Sequence, residues 1–420
     1  MSVARAATGP LSALRYPEFR AFFSGMLAAN VGNWMQQFSL GWLVVQIAVR
    51  DGNPALGALY LGLVGLSRAA PAIVFGLLGG VFADRMDRRR VLLLSRWAST
   101  AIGALLAAMV LSDRASIAGV MVLSFLSAAT FGFDAPARQA IVSHLVAPVD
   151  LFSALGLVRG TQQSSTLFGP LVGGALIGPI GVGGVMVVNT VLFLVSVAAL
   201  VPMQPRPASA AAASQGVLVA MREGIAFARH DSLVGSLTLL TGFFAFLVLP
   251  PVFLLPALAH DTLGVGAIEL SWLTGAAGLG ALIGTVIAAS AGGVERRGWL
   301  LLGTLMLTGA LLALVGLQRD LVATMAALAL FGCAQQVFVG THVTIIQLVI
   351  PDHLRGRVIG LQPVFVLGGG PLGTLLVGAL GAAIGVSNVL VLAGAVVAVG
   401  AGLIFLWVRP IREVRGDQPA

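Results

Sequence analysis

The sequence predicts an all-α integral membrane protein with twelve transmembrane helices in two six-helix bundles related by pseudo-twofold symmetry. Three observations lead there. Of 420 residues, 58% are hydrophobic and only 10% are charged, with a mean hydropathy of +1.00; soluble domains carry about 25% charged residues. Twelve apolar runs come close to or exceed the length of about 20 residues that crosses a bilayer. The arginines gather in alternate connections between those runs, as the positive-inside rule requires.

The runs are 21–48, 55–82, 91–111, 116–137, 153–178, 181–202, 233–258, 267–291, 299–317, 321–347, 358–381 and 388–408. Residues 1–20 are polar and form an N-terminal segment on the cytoplasmic side. The first bundle is expected over 21–202 and the second over 233–408, with a tail at 409–420. Between the bundles, 203–232 opens on Pro202, Pro205 and Pro207 with an Ala/Ser tract. It then reads Val217 to Arg229 with the period and charge of an amphipathic helix on the membrane surface. All 24 basic residues are arginine. With the N-terminus inside, the outer loops hold only Arg50, Arg114 and Arg319, while Arg68 and Arg159 fall inside spans. That bias places both termini in the cytoplasm.

Composition also excludes classes. A net charge of +8 would suggest nucleic acid in a soluble protein; here sidedness accounts for it, and no nucleic-acid partner is expected. The single Cys333 excludes an internal disulfide and a cysteine-built metal cage. No metal and no cofactor is expected. No phosphate loop of the G-x-x-x-x-G-K-[ST] type is present, so ATP is not the direct energy source. No H-E-x-x-H and no nucleophile elbow supports an enzyme. No cleaved signal peptide is expected, since no small-residue cleavage site follows a short N-terminal apolar core.

The turn between the second and third runs reads Gly79-Gly80-Val81-Phe82-Ala83-Asp84-Arg85-Met86-Asp87-Arg88-Arg89-Arg90-Val91, with four arginines and two aspartates in seven residues. The paired glycines let helices approach closely, and the charges suit a salt-bridged latch at the membrane surface. A plain positive anchor is the simpler alternative. The series resembles the loop between the second and third helices of the major facilitator superfamily, with Asp87 where that pattern has glycine. Tyr16-Pro17-Glu18-Phe19-Arg20, followed by Gly32-Asn33-Trp34-Met35-Gln36, resembles the enterobactin-exporter-like branch. The resemblance implies the major facilitator fold and a secondary transporter working by alternating access. It implies a small-molecule substrate, protons as coupling ion, a monomer, and a place in a bacterial inner membrane. Within the second half, Pro351 to Val358 resembles the P-x-x-x-R-G-R stretch of macrolide- and siderophore-exporter-like members. Its Arg355 and Arg357 would meet Asp84 or Asp87.

The halves also echo each other. Asp87 to Leu93 matches Glu295 to Leu301, Leu145 to Pro148 matches Leu348 to Pro351, and Gly169 to Leu171 matches Gly370 to Leu372. Three matches in order, at nearly one spacing, fit a duplicated six-helix unit related by an axis along the membrane normal.

Polar residues inside spans are costly and point to function. Asn30, Asn33 and Gln37 share one face of the first span. Arg159, Gln162, Gln163 and Thr166 recur at similar spacing in the fifth. Gln335 and His342 lie in the tenth, and Arg68 near the middle of the second. These would line a cavity between the bundles, made positive by Arg68 and Arg159 and suited to anionic or acceptor-rich substrates. Interhelical hydrogen bonding alone would also explain a single such residue. Gly156, Ser165, Gly169, Pro170, Gly173 and Gly174 resemble the antiporter signature of the superfamily, with Ser165 in place of one glycine. In the family this signature goes with export. An importer or a lysophospholipid flippase on the same fold is the alternative. Candidates for proton coupling are Asp134, Glu269 and His342. The i, i+4 spacing of Asp134 and Arg138 reads more simply as a helix-surface ion pair.

Overall fold

The computed structural model describes residues 9–85, 87–203, 217–351, 354 and 358–414. The chain is helical nearly throughout, and no strand is found among the described residues. The helices are α1 (Pro17–Arg50), α2 (Leu56–Arg85), α3 (Arg88–Leu111), α4 (Ile117–Leu145), α5 (Leu151–Leu200), α6 (Val217–His230), α7 (Ser232–Leu247), α8 (Ala267–Ser290), α9 (Arg297–Leu317), α10 (Leu321–Val349), α11 (Gln362–Ile384), α12 (Val386–Trp407) and α13 (Arg409–Arg412).

Among the described residues, nine helices are long and apolar enough to cross a membrane. One of them covers two predicted spans. α5 runs on through Pro179 and breaks at Gly181, where φ is +69° and ψ 173°. A left-handed φ is cheap only for glycine, so the reversal between spans five and six sits there. The seventh span is not one regular helix. α7 ends at Leu247, a 3-10 turn covers Pro250–Leu254, and a π-helical turn covers Leu258–Thr262. Pro250 and Pro251 lack the amide donors that would continue α7.

Side chains close the helix starts where the sequence offers them. Asp87 accepts from Arg89 N at 2.8 Å, Ser116 from Gly119 N at 3.2 Å, and Asp320 from Ala323 N at 2.8 Å. Asp231 accepts from both Leu233 N and Val234 N. Each satisfies amides that the helix itself leaves without partners.

The chain forms two compact units. The first contains α1 up to Leu43, α2 from Ser67, and α3 to α5. Its core at one end joins Phe19, Phe22 and Met26 of α1 to Leu92 of α3, Ile141 of α4 and Ala154 of α5. A 3-10 turn, Ser12–Arg15, docks on the connection before α5. Tyr16 Oη donates to Asp150 Oδ2 at 2.9 Å, Ser153 Oγ donates to Pro10 O at 2.8 Å, and Ala13 N donates to Ser153 Oγ at 3.2 Å.

The second unit takes the segment Val44–Leu66 and the chain from α6 onward. That segment packs on α11 through glycine. A Cβ on Gly62 would stand 2.9 Å from Thr374 O, and one on Gly378 would stand 2.5 Å from Ala58 O. Helices that close meet backbone to backbone, which is how apolar helices associate where lipid gives no hydrophobic drive. α8 and α10 do the same at Gly280, Gly284 and Gly332, each of which faces a partner backbone with no room for a Cβ.

Candidate functional site

In the first unit a charged network is buried across three helices. Asp134 of α4 is 3% exposed, Arg138 of α4 is 3% exposed and Arg96 of α3 is 8% exposed. Arg96 Nη2 lies 2.9 Å from Asp134 Oδ1 and donates to Oδ2 at 3.0 Å. Arg138 Nε is 3.7 Å from Oδ2, and its Nη1 donates to Asn30 Oδ1 of α1 at 3.1 Å. The Arg138 guanidinium also stands 5.6 Å from the centre of the Phe131 ring, within cation–π range. Two arginines and one aspartate leave one positive charge in excess. The expected surface pair Asp134–Arg138 is therefore corrected: it is buried, and its stronger partner is Arg96. The i, i+4 spacing shows that the two residues share a face of α4, but not that this face turns inward onto α3.

Arg96 was missed as an intramembrane charge. Its signal is the same one that marks Arg68 and Arg159, a basic residue inside an apolar run. Asn189 in the second half of α5 was missed too. It is fully buried, and neither amide atom has a partner among the described residues. Gly32 and Gly103 leave it room; a Cβ on Gly32 would stand 2.8 Å from its Oδ1. Asn30 Nδ2 and Ser165 Oγ are likewise buried without a partner.

The antiporter-like series of α5 divides by face. Gly169 meets α1, where an added Cβ would stand 2.5 Å from Trp34 Cβ and 3.0 Å from Met35 N. Gly173 meets Met35 and Phe38, and Pro170 and Gly174 are buried beside them. Gly156 and Gly160 have nothing within 4 Å. Arg159 and Gln163 share that open side and are exposed in the unit, while Gln162 is half-buried. Lipid is a poor surrounding for a guanidinium and an amide on one face; water or a polar molecule suits it. Asn33, Gln37 and Arg68 are half-buried.

Arg89 is already committed. Its side chain donates to Leu200 O at 3.3 Å and to Val201 O, closing the C-terminal end of α5. Cations there meet the carbonyls that the last turn leaves free. Asp87 caps α3 and is exposed. The side chains of Gly80's neighbours Asp84 and Arg85, that of Arg88, and the residues Arg355 and Arg357 lie outside what is described, so the latch does too.

All three proton-coupling candidates have structural employment, Asp134 in the ion pairs above. Glu269 accepts from Gly266 N at 2.9 Å and caps α8. His342, 5% exposed, donates through Nε2 to Leu237 O at 3.0 Å and stacks on Phe338. It ties α10 to α7. Gln335 is half-buried on the same helix. Among the described residues no group of three or more His, Cys, Asp or Glu is placed to hold a metal ion.

A long helical chain of apolar spans, with charge buried inside its first unit, defines the class of a polytopic membrane protein. Solved structures of that class share its fold. A bacterial homolog of the human lysosomal transporter Spinster, solved inward-facing and unoccupied, superposes with a TM-score of 0.78 at 16% identity, covering 96% of this chain and 99% of that one. The nucleoside transporter NupG (D323A mutant) gives 0.70 at 12% identity, covering 92% and 99%. The family model described as transmembrane secretion effector matches residues 8–418. The chain belongs to that family, within the major facilitator superfamily, and is a multi-pass inner-membrane transporter. Its curated relatives include the enterobactin exporter EntS of Escherichia coli O1:K1 / APEC, 29% identical over 374 residues, which is 87% of this chain and 86% of the relative. The EntS of Shigella boydii serotype 18 is 28% identical over 372 residues, with the same coverage.

Proposed function

We propose that this protein exports a small, acceptor-rich molecule of the siderophore, macrolide or drug type by alternating access, in exchange for protons. The observation that carries the reading is the match over residues 8–418 to a secretion family and over 87% of the chain to curated enterobactin exporters. The exposed Arg159 and Gln163 on α5, beside glycines with open space, support a wet surface that attracts acceptor groups. Both termini face the cytoplasm on this reading. Arg68 and Arg159 contact the substrate. Asp134 is the first proton-coupling candidate on this reading because it is a buried carboxylate held between two arginines, whereas Glu269 caps a helix and His342 ties two helices together.

Everted membrane vesicles test the proposal. With an imposed pH gradient they should accumulate a labelled catecholate siderophore or macrolide, and an uncoupler should abolish the accumulation. Arg68→Leu should cut transport severalfold at normal expression. Accumulation by right-side-out vesicles instead would make the protein an importer. Accumulation that ignores the uncoupler would remove proton exchange.

A further inference from the structure

At one end of the second unit, an arginine–aromatic cluster is assembled from two separate parts of the chain. Trp299 in the first turn of α9 and Phe405 near the end of α12 meet edge to face, with centres 4.7 Å apart. The Arg296 guanidinium stands 5.8 Å from the Trp299 ring, and that of Arg412 stands 5.9 Å from the Phe405 ring. α13 is held against α9 by backbone. Gly298 N donates to Val414 O at 3.2 Å, Ile411 is buried at 1% exposure, and the Ile411 carbonyl occupies the space a Cβ on Gly298 would need. The placement of Arg412 beside the start of α9 is thus imposed by packing.

Among the described residues, Arg296, Arg409 and Arg412 have no acid to answer their charge. Two stretches, Glu295–Arg297 and Arg409–Glu413, carry four arginines against two glutamates. Both glutamates are exposed. Among the described residues, the side chains of Arg296, Arg409 and Arg412 make no hydrogen bond or ion pair. A guanidinium over a ring uses its face and keeps its edge N–H groups for acceptors. Trp299 and Trp407 are 49% and 77% exposed, and tryptophan at a helix end marks the headgroup level of a bilayer. Leu403 and Leu406 lie exposed just inside that level on α12.

From these features we infer that the cluster is a binding site for the headgroup of an anionic phospholipid. The phosphodiester is held by Arg296 and Arg412, and its acyl chains lie along the outer face of α12. Arginine suits a phosphodiester because its planar fork gives two parallel hydrogen bonds. The adjoining apolar face selects a lipid over a free anion. The site is independent of what the protein transports and of which leaflet it meets.

Native mass spectrometry of the full-length protein during stepwise delipidation, with phosphatidylglycerol and phosphatidylcholine nanodiscs compared, tests the site. The wild type should retain phosphatidylglycerol after phosphatidylcholine has gone. The Arg296→Gln/Arg412→Gln variant should lose that retention by about tenfold or more. Arg296→Lys/Arg412→Lys should keep part of it, and Arg222→Gln/Arg229→Gln on α6 should keep all. A photoactivatable phosphatidylglycerol should crosslink to peptides spanning 295–300 and 409–414 of the wild type, a readout that stands even if a variant does not fold. Equal retention of phosphatidylcholine, crosslinks only elsewhere, or full displacement of the lipid by millimolar inorganic phosphate would each overturn the inference.

Discussion

Asp134 is the residue on which the first unit's electrostatics turn. It is shared by Arg96 and Arg138, and all three side chains are 10% exposed or less. Removing one partner of a buried ion pair leaves a charge with nothing to answer it, at a cost of about 3–5 kcal/mol. Asp134→Asn is therefore expected to lower the thermal unfolding temperature of the purified protein sharply. Adding Arg96→Met to that variant should recover part of the loss, since one of the two orphaned charges goes with it. A double variant less stable than the single would show that Arg96 and Asp134 are not coupled. This comparison also guards the transport reading. An export defect that the double variant does not repair, in protein that folds, belongs to chemistry and not to stability.

At the scale of elements, one sequence series on α5 does two jobs. Gly169 has the backbone of α1 against it, so Gly169→Ala must push the helices apart. Overpacking of that kind costs about 1–3 kcal/mol, read as a lower unfolding temperature. Gly156 has open space, so Gly156→Ala should gain up to about 1 kcal/mol from helix propensity. If Gly156→Ala destabilises the protein, a neighbour occupies that face. The N-terminal turn is a second element with a clear role. Its hydrogen bonds to Asp150 and Ser153 hold the start of α1 to the connection before α5. Tyr16→Phe removes one donor to the Asp150 carboxylate. Hydrogen exchange over residues 12–16 should quicken, and unchanged exchange would mean that Phe19 packing alone holds the turn.

For the whole molecule, the orientation proposed from the distribution of arginine is directly measurable. Replacing Cys333 with Ala leaves no cysteine, since the sequence has only one. On that background, Asp113→Cys is expected to react with an impermeant maleimide in intact cells. Asp231→Cys should react only after permeabilisation. The opposite pattern would invert the topology and, with it, the direction assigned to transport. Legibility at this scale was high, because a bilayer demands apolar length and twelve such lengths can be counted along the chain. The join between spans five and six, read at 179–180, falls beside the break at Gly181. The turn at Gly181 needs no polar loop, only a left-handed glycine, so hydropathy sees an almost unbroken run.

Sequence alone determined the membrane class, the family and the helix read over 217–229, since each depends on residues near one another along the chain. Tertiary structure decided who meets whom. Arg96 reaches Asp134 from 38 residues away, Arg89 closes a helix 111 residues further on, and His342 spends its proton on Leu237. Helical period tells which residues share a face, but only packing tells what that face is turned against.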